Sequence, residues 1–278
     1  MRIAVAALLA ALVVGCGQKH DEHKPDAKGE KPHGGAGGHK HGGDEHAGHK
    51  AALTALDLQT RDGLKAGTMA KLRFTVPDAG GKPVMAFAVA HDAKVHLILI
   101  RQGLDTFAHL HPEVDPATGI LSAEYTFPKG GVYHLFADYQ EPGGMPMTAT
   151  ARVEVAGDAP PSAGLKADVP GLIVGEMVAA KVSVEGAKAG SEAKVRFEVL
   201  DGDKPATDLE PYMGAMGHLV IVSADGKQYV HAHPDEKSDA KNVVTFGASF
   251  PSPGLYKGWG QFKRASQVRI VPFTVQIP

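Results

Sequence analysis

A chain of 278 residues with 29 Lys and Arg against 31 Asp and Glu carries a formal charge of −2. There is no basic surplus for a phosphate backbone, so nucleic acid is not an expected partner. The single cysteine rules out an internal disulfide, thiolate metal sites and a cysteine nucleophile, so stability must come from burial, and the chain is long enough for two ordinary cores.

Met1-Arg2 precedes an apolar run from Ile3 to Val14. A basic start with a short apolar core reads as a secretory signal, and the run is too short for a bilayer span of about 20 residues. Val13-Val14-Gly15-Cys16 resembles the bacterial lipobox, although that motif prefers Leu where Val13 stands. The resemblance implies a signal peptide over 1–15, a lipid on Cys16 and a membrane as partner. Gly17 stands where an Asp would signal inner-membrane retention, so the outer membrane is the default if the cell has one.

Residues 17–50 are rich in Gly, His and Lys and nearly empty of large apolar side chains. Such a segment cannot bury enough surface to fold and reads as a flexible tether over 16–50. Its seven histidines, His20, His23, His33, His39, His41, His46 and His49, make either a weak metal sponge or a solvated spacer.

From Ala51 onward, short β-rich runs alternate with Gly, Pro, Asp and Asn, the pattern of a sandwich. Strands are predicted at 69–76, 95–100, 106–111, 121–127, 132–139 and 148–155. A second set falls at 177–184, 194–200, 218–222, 228–233, 243–250, 255–262 and 268–277. The fold class is therefore all-β: two tandem Ig-like or cupredoxin-like antiparallel sandwiches, 51–157 and 165–278, joined by a linker at 158–164 that holds Pro160-Pro161.

The two halves repeat each other. His96-Leu97-Ile98-Leu99-Ile100 followed by Phe107-Ala108-His109-Leu110-His111-Pro112 matches His218-Leu219-Val220-Ile221-Val222 followed by Tyr229-Val230-His231-Ala232-His233-Pro234, with equal spacing. Phe136-Ala137-Asp138-Tyr139 matches Trp259-Gly260-Gln261-Phe262.

Asp225-Gly226 predicts a two-residue hairpin turn with Ala224 paired to Lys227. Counting outward sets His218 opposite His233, with His231 on the same face. Centring the first hairpin on Gly103-Leu104 sets His96 opposite His111, with His109 beside them. Three imidazoles on one face suit copper, zinc or nickel. The same rings could instead be structural, bonded to the loops before Pro112 and Pro234. Met213 and Met216, just before His218, and Met145 and Met147 offer thioethers, which favour Cu(I); packing in the core is their alternative. His91 and His134 have no counterpart in the second repeat, and Glu113 and Asp138 are further oxygen donors. Phe136, Trp259, Tyr133 and Tyr256 read as core aromatics.

These motifs resemble a group of bacterial exported Ig-like domains akin to YtkA-like domains, associated with heavy-metal and copper handling. The resemblance covers nearly all of 51–278. It rests on His-Leu-Ile-Leu-Ile, Phe-Ala-His-Leu-His-Pro-Glu and Phe-Pro-Lys-Gly-Gly-Val-Tyr in the first half, and on 211–218 and 256–262 in the second. His91-Asp92-Ala93-Lys94-Val95 departs from the acidic–Lys–Met lead usual in that group.

The expected function is a membrane-anchored, extracytoplasmic metal-binding lipoprotein that buffers, delivers or detoxifies copper, with zinc as the alternative ion and a metal-handling envelope protein as a partner. Its ligands would be His96, His109 and His111 in one half, and His218, His231 and His233 with Met213 and Met216 in the other. The competing expectation is a structural or interaction Ig-like lipoprotein of the cell envelope. No nucleophile–base pair, carboxylate dyad or phosphate loop is visible, so catalysis is not expected.

Overall fold

A computed structural model describes residues 53–168, 171–175, 178–232, 234 and 240–278. Cys16, the histidine tract and His233 lie outside the described residues, so the expectations placed on them are not addressed by it. Among the described residues every element is a strand, and no helix is long and apolar enough to cross a membrane.

The first half contains β1 (Leu53–Ala55), β2 (Asp57–Leu58), β3 (Met69–Thr75), β4 (Val95–Arg101), β5 (Phe107–Leu110), β6 (Glu113–Val114), β7 (Leu121–Thr126), β8 (Gly131–Gln140) and β9 (Pro146–Val155). They form two sheets, ordered β1-β9-β8-β4-β5 and β2-β3-β7-β6. Between the sheets lies an apolar core that includes Leu72, Phe74, Leu97, Leu99, Phe127, Tyr133 and Leu135.

The second half contains β10 (Gly171–Gly175), β11 (Val178–Glu185), β12 (Glu192–Asp201), β13 (Lys204–Pro205), β14 (Leu209–Glu210), β15 (His218–Ser223), β16 (Tyr229–Ala232), β17 (Val243–Ser249), β18 (Gly254–Arg264) and β19 (Gln267–Ile277). One sheet runs β10-β11-β12-β13 with β17 on β12, and the other β14-β18-β15-β16 with β19 on β18. Phe197, Leu219, Ile221, Phe246, Phe250 and Phe262 fill the space between them. A Tyr in each half bonds the carbonyl four residues upstream, Tyr133 to Lys129 and Tyr256 to Ser252, both at 2.9 Å. This matching corner is what a duplicated Ig-like sandwich would repeat.

Strands β4 and β15 are buried along their whole length, whereas an antiparallel sheet commonly leaves one face wet. The reason is a third core. Leu97 and Leu99 face their own sandwich, while Ile98 and Ile100 point the other way and pack with Val220, Val222, Phe136, Trp259 and Leu104. The outer face of one sandwich is thus covered by the outer face of the other. Phe136 and Trp259, expected inside the sandwiches, belong to this seam. Phe107 stacks on Trp259 with ring centres 5.0 Å apart and 14° between planes. Phe136 stacks on Tyr229 at 4.3 Å and 6°. Because Phe107 corresponds to Tyr229 and Phe136 to Trp259, the two stacks are the same contact made in both directions, as at a two-fold axis.

The hairpin loops differ from the expected two-residue turn. Ser223 N–H donates to Gln228 O and Gly226 N–H to Ser223 O, so the loop is Ala224–Lys227, and Ala224 N–H bonds Leu255 rather than Lys227. The first repeat builds the same loop, with Arg101 N–H to Thr106 O and Leu104 N–H to Arg101 O. Leu104 (φ 54°) takes the left-handed position that Gly226 (φ 72°) holds in the second copy. That conformation disfavours a side chain with a Cβ; the Leu104 side chain is buried in the seam, which offsets the cost. The loops are longer than predicted, yet the register is unchanged: Ile98 opposes His109 and Val220 opposes His231.

Candidate metal centre

Because side chains alternate along a strand, His96 shares the face of Ile98, and His218 that of Val220. Both therefore point into the seam, and histidines from the two halves meet there. Within the first half, ring centres are 5.2 Å apart for His96 and His109, 5.1 Å for His96 and His111, and 4.8 Å for His109 and His111. Across the boundary they are 5.4 Å for His96 and His231, 5.4 Å for His109 and His231, 5.8 Å for His109 and His218, and 6.1 Å for His96 and His218. The sequence suggested a site in each half; the structure brings five rings into one cluster.

Hydrogen bonds define which nitrogen of each ring carries the proton. A carbonyl oxygen only accepts, so His96 Nε2–H donates to Ala90 O at 3.1 Å and His218 Nε2–H donates to Tyr212 O at 2.9 Å. His109 Nδ1–H donates to Gln261 Oε1 at 3.1 Å, and His231 Nδ1–H donates to Asp138 Oδ2 at 2.8 Å. In this tautomer the second nitrogen of each of the four rings carries the lone pair. Outer groups that fix the tautomer in this way are the usual support of metal-ligating imidazoles.

Those supports follow the same two-fold relation. On neighbouring strands Asp138 opposes His96 and Gln261 opposes His218. Each reaches across the seam, Asp138 to His231 and Gln261 to His109. Asp138 also accepts from Tyr229 Oη at 2.5 Å and from Thr148 Oγ1 at 2.6 Å. Asp138, considered in the sequence as an oxygen ligand, here contacts the far nitrogen of His231. Glu113, the other carboxylate considered, sits exposed on β6 in the opposite sheet.

His96 Nδ1 lies 3.0 Å from His109 Nε2. With the outer nitrogens protonated, two lone pairs face each other here, and either a shared proton or a bound metal ion would bridge them. The Nε2 of His111 is also enclosed, with no hydrogen-bond partner among the described residues. One nitrogen from each of His96, His109 and His111 falls within 4.8 Å of the other two. Metal–nitrogen bonds of about 2.0–2.1 Å place ligand nitrogens about 2.9–3.4 Å apart and ring centres about 4.5–5.2 Å apart between square and tetrahedral angles. The three rings of the first half already stand at such separations, and the cross-boundary ones are wider by less than about 1 Å.

Burial holds the cluster neutral. It lowers His96 to about 4 and His218 to about 3. His109 and His231 are pushed well below the ordinary imidazole value by burial first and by neighbouring imidazoles second, and burial lowers His111 as well. Neutral imidazole is the ligating form. Burial raises Asp138 against the bonds from Thr148 and Tyr229, and it raises the Tyr229 phenol well above its ordinary range.

The turns before β4 and β15 are also equivalent. Ala90 and Ala93 exchange backbone hydrogen bonds, as do Tyr212 and Ala215. His91 (φ 49°) and Met213 (φ 52°) both take left-handed conformations. His91, which the sequence left without a counterpart, thus stands where Met213 stands, and its ring packs edge-on against His218 at 6.0 Å. Met213 is half-buried in its turn, while Met216 is 38% exposed and Met145 is 67% exposed. His134 stacks beside Phe136 at 6.3 Å, outside the cluster.

The chain belongs to the family described as Domain of unknown function (DUF8832), which matches twice, at residues 51–157 and 174–278. A search of curated proteins finds no match. Among solved structures, a tetra-tandem repeat from the extending region of a large adhesion protein is 14% identical over 82% of this chain and 50% of that one, with a TM-score of 0.27. The Escherichia coli adhesin FdeC is 11% identical over 80% and 63%, with a TM-score of 0.26. A putative membrane-anchored protein from Corynebacterium diphtheriae is 11% identical over 81% and 57%, also with a TM-score of 0.26. The chain spans less than two thirds of the length of each of these three. At these scores the likeness says nothing of what this chain binds.

Proposed function

We propose that this protein is an extracytoplasmic, lipid-anchored metal-binding protein whose two sandwiches jointly hold one transition-metal ion, copper before zinc. The carrying observation is the 3.0 Å approach of His96 Nδ1 to His109 Nε2 while both rings donate their N–H outward. The motif resemblance to exported copper-associated domains supports the same reading, as do the lipobox-like residues ending at Cys16. Buffering or delivery of the ion to an envelope partner is the role that fits a buried, ligand-rich seam.

The test is metal titration of the chain and of two single variants, His96→Ala and His218→Ala, from opposite halves. The seven tether histidines are common to all three proteins and cancel. Loss of the same single tight equivalent in both variants supports one shared site. Two equivalents lost independently would mean separate sites, and unchanged stoichiometry would remove metal binding from the seam.

A second reading, a structural or interaction module of the cell envelope, is favoured by the tandem Ig-like architecture and the apolar seam with its stacked aromatics. The histidines would then only knit the halves together, and a chelator would leave the melting temperature unchanged.

A further inference from the structure

A loose linker is enough to connect two sandwiches. Residues 157–168 are instead bonded along their course, first to one sandwich and then to the other. Gly130 N–H donates to Asp158 O at 2.7 Å. Arg101 Nη2–H donates to Pro160 O at 2.8 Å. Ser162 lies so close over the first hairpin loop that a Cβ added at Gly103 would stand 2.7 Å from the Ser162 Cβ. Leu165 packs on the apolar seam. Asp168 then docks on β19, its N–H donating to Thr274 O at 2.9 Å and its carboxylate accepting from Thr274 N–H at 2.6 Å.

Arg101 is the centre of the first set of contacts. Its side chain is only 8% exposed. Nε–H donates to Gly130 O at 2.8 Å, and Nη1 donates to the two oxygens of Asp105 at 3.1 and 3.0 Å. Asp105 also accepts from Lys129 Nζ at 2.9 Å. One guanidinium thus joins the hairpin loop, the turn before β8 and the linker, a task for a rigid planar fork of donors rather than for a point charge. Departure of Pro160 would leave a buried cation short of an acceptor, which is costly. The second repeat carries Ser223 at the position of Arg101, and its hydroxyl stays within its own loop, donating to Asp225 Oδ1 at 2.6 Å and accepting from Gln228 N–H at 2.9 Å. The long cation belongs to the copy along which the linker runs.

We infer that residues 157–168 form a strap that holds the two sandwiches docked, with Arg101 as its catch, and that release of Pro160 lets the seam and its histidine cluster open. Pinning the strap shortens the free connection between the halves and so raises the effective concentration of one outer face at the other. The strap acts whether or not the cluster holds an ion.

Trypsin cuts such a strap after Lys166, which is exposed, once the segment around it leaves the surface. The experiment compares the native full chain with Arg101→Lys and Gly103→Leu, all in chelator. Arg101→Lys keeps the charge beside Asp105 and loses the fork. Gly103→Leu keeps Arg101 and drives a side chain under Ser162, so it decides the matter if Arg101→Lys fails to fold. The readouts are the rate of cutting after Lys166 and the emission of Trp259, which is buried in the seam, during denaturant titration. Cutting should be at least about tenfold faster in both variants, since cleavage follows the population of the released segment. The red shift of Trp259 should come at lower denaturant than in the native chain, ahead of the loss of far-ultraviolet circular dichroism. Faster cutting with an unmoved Trp259 transition would make the segment a surface attachment with no hold on the docking. Unchanged cutting would mean that Arg101 and the contact at Gly103 do not retain it. Either result overturns the inference.

Discussion

The imidazole of His231 and the carboxylate of Asp138 are 93 residues apart in sequence, belong to different sandwiches, and meet at 2.8 Å. The bond is the mirror of that between His109 and Gln261, which are 152 residues apart. Contacts of this kind tie each half of the chain to the histidines of the other.

Residues in one hydrogen-bonded network do not act independently. Asp138→Asn and His231→Ala should each lower stability, and the double variant should cost less than the two together, with a coupling of about 0.5–3 kcal/mol. Chemical denaturation of the four proteins in chelator measures it. Additive losses would mean that the bond does not contribute.

Acid should loosen the metal-free protein. His96 and His218 titrate at about 4 and about 3 in the fold, below the value near 6.5 of an unfolded imidazole. Between those limits the unfolded chain holds more protons than the folded one, so stability rises with pH in that window. The stabilisation is complete above about pH 6.5 and is lost as pH falls toward 4 and then 3, by up to about 1.4 kcal/mol per pH unit for each histidine. Asp138, raised by burial, acts in the opposite sense, as one group against several. Denaturation midpoints between pH 7.5 and 4 give the slope; a flat profile would contradict it.

Trp259 is the single tryptophan and lies 5% exposed in the seam. Its emission should therefore report separation of the sandwiches, shifting to the red before global unfolding if they part first. Phe107→Ala removes the ring stacked on Trp259 and should cost about 3–5 kcal/mol in that transition. A change below about 1 kcal/mol would show that the stack does not hold the halves together.

A methyl at Gly258 would sit 2.2 Å from a Phe273 ring carbon. Because the neighbouring strand holds that ring in the core of the second sandwich, Gly258→Ala should destabilise this half by about 1–3 kcal/mol through overpacking. Thermal denaturation tests it, and a native melting temperature would mean that Phe273 has room to move.

Strand positions and hairpin register were legible because equal spacing in two copies left few alternatives. The two-residue turn was wrong, but Ala224–Lys227 keeps the same parity as a tighter loop, so His96, His109, His111, His218 and His231 still fall on the predicted faces. What the pattern hid was the destination of those faces. In a sequence such as His96–Ile100 every residue is apolar or aromatic, so the run does not distinguish a face that meets its own sandwich from one that meets another. Phe136 and Trp259 were misplaced for the same reason. Asp138 and Gln261 could have been paired with the histidines by aligning the repeats and noting their strand neighbours, but a contact across the seam requires the docking itself, which no local signal encodes.

Two copies of one domain meeting about a two-fold axis would, as separate identical subunits, carry the same residue on both arms of every contact. Joined in one chain, the arms are free to diverge, and here position 138 is an acid where 261 is an amide, 229 a tyrosine where 107 is a phenylalanine, and 213 a methionine where 91 is a histidine. Covalent duplication thus makes available a cluster whose histidines are arranged with symmetry while its polarity is one-sided, a combination that self-association of a single domain cannot reach.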